Sequence, residues 1–154
     1  MNGCYVVSTR GISLLKFDFI SMEQGLSSAL VMGIAQDPQG FMWFGTQDGL
    51  NRYDGYTFKV YKTNPDDPYS LSNNYILALY VDKAGVLWVA TWGGLNRFDA
   101  ATERFSVYRH NDNDATSLGD DKVQVILEDS AGALWVGTEN GGLNRLDRET
   151  GRFT

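Results

Sequence analysis

The sequence predicts an all-β fold, a β-propeller of three four-stranded antiparallel blades. Three observations predict it. One phrase recurs three times, as Asp37 to Asp54, Asp82 to Asp99 and Asp129 to Asp147, with its tryptophans Trp43, Trp88 and Trp135 spaced 45 and 47 residues apart. A repeat of roughly 40–50 residues built from short strands is the signature of propeller blades. Each copy also holds four strand-like runs separated by turn residues, and no amphipathic helix pattern of useful length interrupts them.

The elements follow in chain order. Residues 1–13 read as an N-terminal tail. They hold the lone Cys4, so no internal disulfide is available. Residues 14–154 read as a partial propeller. It begins with a leading strand at 14–20, L-L-K-F-D-F-I, apolar and rich in β-favouring aromatics. Blade 1 spans about 26–61, blade 2 about 71–108 and blade 3 about 118–154. Each opens on a Gly- and Ser-rich entry: Gly25-Leu26-Ser27-Ser28, Ser70-Leu71-Ser72-Asn73 and Ser117-Leu118-Gly119-Asp120.

Within a blade the first runs are 29–36, 75–81 and 123–128. The runs I-L-A-L-Y-V and V-Q-V-I-L read as buried on both faces, as a blade between two neighbours requires. The second runs, 41–45, 86–90 and 133–137, carry the tryptophans. The third, 49–53, 94–98 and 142–146, are built on G-L-N-R. The fourth are 57–61 and 104–108, and in blade 3 this run has barely begun at Phe153. Asp37, Asp82 and Asp129 each precede a glycine by three residues, which suits type I turns with Asp first and Gly fourth. The polar stretches Lys62 to Pro68 and Arg109 to Thr116 read as crossovers from one blade to the next.

Composition narrows the function. The net charge is −6, which argues against a nucleic-acid surface, since phosphate binding needs clustered Lys and Arg. No run of 18 apolar residues encodes a membrane span. Met1 to Ser13 does not read as a signal peptide. A single histidine, His110, and a single cysteine exclude a Cys–His nucleophile and a multi-His metal site, and His110 reads as a solvated loop residue. The Asp-rich loops at Asp66-Asp67 and Asp112 to Asp114 lack the Gly and the bidentate Glu of a calcium loop, so turn stabilisation is the better account. No carboxylate pair sits in a motif that separates an acid from a base, so no catalytic residue, metal or cofactor is assigned.

Internal repeats separate framework from function. What recurs serves the blade. The tryptophans therefore read as packing between blades, and Arg52, Arg97 and Arg145 as ion-pair partners, with Asp54, Asp99 and Asp147 the nearest candidates. What differs between the copies is free for other use. Between the second and third strands the copies read Gln47-Asp48, Trp92-Gly93 and Glu139-Asn140-Gly141. Gln47, Asp48, Trp92, Glu139 and Asn140 are therefore the candidate ligand-binding residues. An exposed Trp beside Asp, Glu and Asn suits a saccharide, and the alternative is that Trp92 packs on the adjacent blade.

The pattern D-x-x-G-x-x-W-x-(G/A)-T, then G-L-N-R-(F/Y/L)-D, then F-x-x-Y, resembles the two-component regulator propeller repeat. The resemblance covers roughly residues 14–154. It implies a non-catalytic, ligand-sensing module of a bacterial two-component-type sensor, on the periplasmic or extracytoplasmic side, recognising a saccharide or other small extracellular ligand. The alternatives are a protein–protein interaction scaffold and a propeller enzyme, a lyase or hydrolase acting on polysaccharide. Family members carry more repeats, a β-sandwich and an output module, which three repeats do not supply. Three blades make an arc, completed either by neighbouring blades of a longer chain or by self-association. In the second case the strand at 14–20 of one chain is expected to complete blade 3 of another.

Overall fold

The computed structural model describes residues 18–154 together with the short strands β1 (Tyr5–Val6) and β2 (Leu15–Lys16). Three antiparallel sheets stand side by side. Blade I holds β3 (Val31–Gln36), β4 (Met42–Thr46), β5 (Gly49–Tyr53) and β6 (Phe58–Tyr61), in that spatial order. Blade II repeats it with β7 (Ile76–Val81), β8 (Leu87–Thr91), β9 (Gly94–Asp99) and β10 (Arg104–Tyr108). Blade III holds β11 (Val123–Glu128), β12 (Leu134–Thr138) and β13 (Leu143–Leu146). Its fourth strand is a single bridge between Leu146 and Phe153. One 3-10 turn, Met22–Gln24, leads into blade I, and no α-helix occurs among the described residues.

The leading strand expected at 14–20 falls partly outside the described residues. Among the described residues of that stretch, Leu15–Lys16 is a strand paired with Tyr5–Val6, and residues 18–20 carry no regular structure. Leu14 and Phe17 lie outside the described residues.

The recurring phrase is a set of hydrogen bonds. The Asp turns close as expected, with Gly40, Gly85 and Gly132 N–H donating to the carbonyls of Asp37, Asp82 and Asp129 at 2.8–3.1 Å. Each carboxylate does more. One oxygen accepts the N–H four residues on, from Phe41, Val86 or Ala133. The other accepts the indole N–H of Trp43, Trp88 or Trp135 at 2.7–2.8 Å. An indole N–H needs a partner when buried, and the Asp six residues earlier supplies it.

The Asn of L-N-R is the second fixed point. Asn51, Asn96 and Asn144 are buried, and each carboxamide oxygen accepts a backbone N–H from the blade entry: Ser27, Ser72 or Gly119, all at 2.9 Å. Their NH2 groups donate to the carbonyls of Phe44, Val89 and Val136. The entry is thereby tied across the sheet to the third strand, and the apolar anchors Leu26, Leu71 and Leu118 are buried in the core.

The core lies between blades. One cluster joins Trp43 and Leu50 of blade I to Ile76, Leu87, Val89, Phe98 and Phe105 of blade II; a second joins Trp88 and Leu95 to Val123, Ile126, Leu134 and Val136 of blade III. Close approach is required where Gly45 faces Ile76, since a Cβ on Gly45 would lie 2.5 Å from Ile76 Cγ2. Burial on both faces, expected for the first runs of blades II and III, is only partial: in β7 Ile76 is buried and the other five residues are half-buried, and it is the second strand of that blade, β8, whose five residues are all buried. In β11, Val125 and Leu127 are exposed, because the face they occupy carries no neighbouring blade among the described residues.

The expected arginine–aspartate interaction holds at Arg97 and Arg145, whose charges act on Asp99 and Asp147 after the local N–H bonds, and changes at Arg52. Arg52 reaches across to Glu103 of blade II at 2.9 Å, where Lys59 also pairs, and its guanidinium lies 4.7 Å from the Phe41 ring. Arg145 lies 6.0 Å from the Trp135 ring. Asp54, Asp99 and Asp147 accept backbone N–H groups two residues on, from Tyr56, Ala101 and Glu149. Those carboxylates sit where a strand gives way to a turn, so local N–H groups capture them first. Asp67 and Asp114 stabilise crossovers in the same way, accepting from Tyr69 and Thr116.

Candidate functional site

One edge of the arc gathers the turns that differ between repeats. The β8–β9 and β12–β13 turns reach over the entry of the first strand of their blade. Trp92 N–H donates to Tyr75 O at 3.2 Å, and Glu139 N–H to Lys122 O at 2.9 Å. Across blades, Gly49 N–H donates to Asn74 O and Gly94 N–H to Asp121 O. The crossovers arrive on the same edge, since Thr63 N–H donates to Asn74 Oδ1 and His110 N–H to Asp121 Oδ1. Turns and crossovers therefore form one rim on a rigid scaffold.

At one recurring pair of positions the framework is constant and the chemistry changes. Repeat alignment matches Leu30, Tyr75 and Lys122, and likewise Gln47, Trp92 and Glu139. In blade II the pair is aromatic: Trp92 stacks on Tyr75 with ring centroids 4.1 Å apart and planes 11° from parallel. In blade III the pair is ionic, with Lys122 Nζ 3.4 Å from Glu139 Oε2. The two pairs are neighbours, because Lys122 Nζ also lies 5.7 Å from the Trp92 ring. Trp92 retains 45% exposure, while Trp88 four residues earlier has 2%. So Trp92 packs on its own blade through Tyr75, is approached by Lys122 of the next, and stays 45% exposed.

A recurring β-bulge supplies another group. The register of the first two strands shifts between Val31 and Gly33, between Ile76 and Ala78, and between Val123 and Val125. Such bulges re-aim a side chain. The bulged residue of blade III is Gln124, whose Nε2 lies 3.4 Å from Glu139 Oε2. Asn140 joins the group through Asp120, whose Oδ2 accepts both its backbone N–H at 2.9 Å and its side-chain NH2 at 3.3 Å. Those two bonds and the N–H of Lys122 outweigh desolvation and hold the Asp120 carboxyl below its ordinary pKa.

Of the five residues singled out from sequence, the structure joins Trp92, Glu139 and Asn140 into one stretch spanning blades II and III. Asp48 is tied instead to Lys62 of the crossover at 2.7 Å. Gln47 is exposed on the blade I turn. Sequence comparison missed Tyr75, Lys122, Gln124 and Asp120. The same signal marks them, since these positions, at the strand entry that the turn touches, also differ among the three copies.

His110 is more constrained than a solvated loop residue. Its Nδ1 lies 2.7 Å from Leu118 O and its Nε2 2.9 Å from Asp112 Oδ1. The bond to the Leu118 carbonyl, and next the one to Asp112, raise its pKa above the ordinary imidazole value. Among the described residues no group of three or more His, Cys, Asp or Glu side chains is placed to hold a metal ion.

The family model for the two component regulator propeller matches residues 25–48, 70–93 and 117–140. Each match runs from the blade entry to the variable turn. The extracellular domain assigned to a hybrid two component system of B. thetaiotaomicron superposes with a TM-score of 0.84 at 39% identity, over 89% of this chain and 19% of that one. A second such domain from the same organism gives 0.71 at 34% identity, over 92% of this chain and 20% of that one. A histidine kinase of Formosa agariphila is 54% identical over 48 residues, 31% of this chain and 4% of the kinase. The chain thus spans about a fifth of the two solved domains and a small part of the kinase.

Proposed function

The chain carries three repeats of the two-component regulator propeller family, and from that premise we propose that it is the non-catalytic, ligand-sensing part of a bacterial two-component-type sensor, acting on the periplasmic side of the membrane. The solved domains it is similar to are extracellular parts of such systems. The observation that carries the ligand-binding reading is the Trp92–Tyr75 stack standing 45% exposed at Trp92, beside Lys122, Glu139 and Asn140. A buried aromatic has a packing reason; a stacked and exposed one, ringed by donors and acceptors, matches how small-molecule sites combine aromatic surface with a few placed polar groups. A saccharide fits that combination. Its apolar ring face meets the indole, and its hydroxyls meet Glu139, Asn140 and Gln124.

The stretch also explains how binding reports. Trp92 belongs to blade II, whereas Lys122 and Glu139 belong to blade III. A ligand held by both favours whichever blade arrangement brings them together, and its effect is limited to its differential affinity for the two arrangements. Probing a glycan array with the labelled chain tests the reading. Saccharide binding that Trp92→Ala removes supports it. No saccharide signal, with a protein captured through the same rim, supports the interaction scaffold instead.

A further inference from the structure

Blades I and II each lay one cation over the variable turn. Lys62 follows β6 and Arg109 follows β10, and repeat alignment makes them equivalent. Their stems lie alike, since the Cγ of each is 3.2 Å from the point where a Cβ on Gly49 or Gly94 would stand. Their heads differ. Lys62 Nζ pairs with Asp48 Oδ2 at 2.7 Å, so the blade I turn neutralises its own cation. The position of Asp48 is taken in blade II by Gly93. A side chain there is excluded by packing, because a Cβ on Gly93 would lie 2.9 Å from Ser72 O. Arg109 Nε–H donates instead to the Gly93 carbonyl at 3.1 Å, and among the described residues no carboxylate pairs with the guanidinium. Arg109 is exposed, so Nη1 and Nη2 keep their donors and their charge on the turn that carries Trp92.

The other charged groups of this part of the rim already have partners. Glu139 Oε2 lies 3.4 Å from both Lys122 Nζ and Gln124 Nε2. Asp120 accepts from Asn140, and Asp121 Oδ1 accepts the His110 N–H at 2.7 Å. Arg109 is therefore the one place between blades II and III where the repeat has kept a cation and lost its carboxylate. The net charge of −6 gives an acidic ligand no long-range attraction, so its recognition has to be local. A guanidinium supplies that, with two N–H groups placed to bond two oxygens of one acidic group.

We propose that Arg109 sets the charge of the ligand by receiving a carboxylate or sulfate ester on the saccharide whose ring lies on Trp92. This rests on the saccharide reading of the rim and adds that the saccharide is acidic. The sugar face meets the indole, and the acidic group meets Nη1 and Nη2 beside Gly93. Lys122 contributes less, because Glu139 already shares its charge.

A glycan array of matched oligosaccharides tests this, with each backbone present as the uronate, its carboxyl-reduced neutral form and the sulfate ester of that neutral form. The best acidic probe and its neutral counterpart are then titrated calorimetrically against the full chain. The expected result is at least tenfold tighter binding of the acidic form, and the leading arm tells carboxylate from sulfate. Arg109→Gln removes most of that preference, whereas Lys62→Gln, whose cation already has Asp48, leaves it unchanged. Circular dichroism checks folding, and Arg109→Met, which keeps the stem over Gly94, replaces Arg109→Gln if that variant unfolds. Three results overturn the inference and leave the saccharide reading standing. One is a neutral form bound as tightly as its acidic counterparts and lost in Trp92→Ala. Another is an acidic preference that survives in the Arg109 variant. The third is an Arg109 variant that weakens acidic and neutral forms alike, which makes Arg109 a prop for the Gly93 turn only. An array with no saccharide signal overturns both.

Discussion

The indole N–H of Trp88 donates to Asp82 Oδ2 at 2.8 Å. The same oxygen lies 3.1 Å from Arg148 of blade III, whose other nitrogen is 3.3 Å from Glu128. One Asp therefore closes its own turn, anchors its blade's tryptophan and receives the next blade's arginine. Trp88→Ala is expected to cost about 3–5 kcal/mol, the range for deleting a fully buried aromatic. Trp135→Ala, at a half-buried site, is expected to cost less. Urea midpoints of the two variants check both the size and the order.

Asn96 is the second test of the framework. It has 0% exposure, accepts from Ser72 N–H at 2.9 Å and donates to Ser72 Oγ at 2.8 Å. Asn96→Ala leaves the Ser72 N–H and the Val89 carbonyl without that partner. The expected loss is about 1–3 kcal/mol, the penalty for a buried group left unsatisfied. It is read from the urea midpoint, with the slope unchanged.

Glu103 makes the blade I–blade II contact depend on pH. Its bond to Lys59, and next the charges of Lys59 and Arg52, lower its carboxyl pKa against opposing desolvation. The folded pKa is below the unfolded one, so the stabilising effect is complete above the unfolded value of about 4.3. It is lost as pH falls through the folded value. Glu103→Gln is therefore expected to be less stable than the parent at neutral pH. The gap in urea midpoint should close on acidification below about pH 4. A gap that is constant with pH would contradict the ionic role.

His110 titrates in the opposite sense. Its folded pKa is raised, so its contribution is complete below the unfolded value of about 6.5 and fades as pH rises through the folded one. As the only histidine it gives a single Hε1 signal in a proton NMR titration. That signal should report a pKa above the ordinary value, and Asp112→Asn should move it back down.

The repeat made the blade order and the strand pairs legible. D-x-x-G marked each turn and G-L-N-R each third strand, because these short-range patterns carry their own backbone requirement. What stayed hidden was long-range. The Asp82–Trp88 bond and the Asn96–Ser72 bond link positions that recur together, and recurrence alone does not say what they touch. Asp54 is the nearest candidate for Arg52 along the sequence, yet the partner Glu103 stands 51 residues on in the next blade. The candidate rim was half visible. Trp92, Glu139 and Asn140 stood out by differing, while Tyr75 and Lys122 became visible only when the fold laid the turn over the strand entry.

The central claim is that an unchanging framework carries a changeable ligand-binding rim between blades II and III. The most direct test is binding of the labelled chain to the strongest glycan-array hit, measured by titration calorimetry for the parent, Trp92→Ala and Leu143→Glu. The account predicts roughly tenfold weaker binding in Trp92→Ala, as loss of about 1.4 kcal/mol of ring contact gives. Leu143→Glu, in the exposed apolar hollow beside Trp135, should bind as the parent does. Equal affinity in Trp92→Ala and the parent would place the ligand elsewhere and contradict the account.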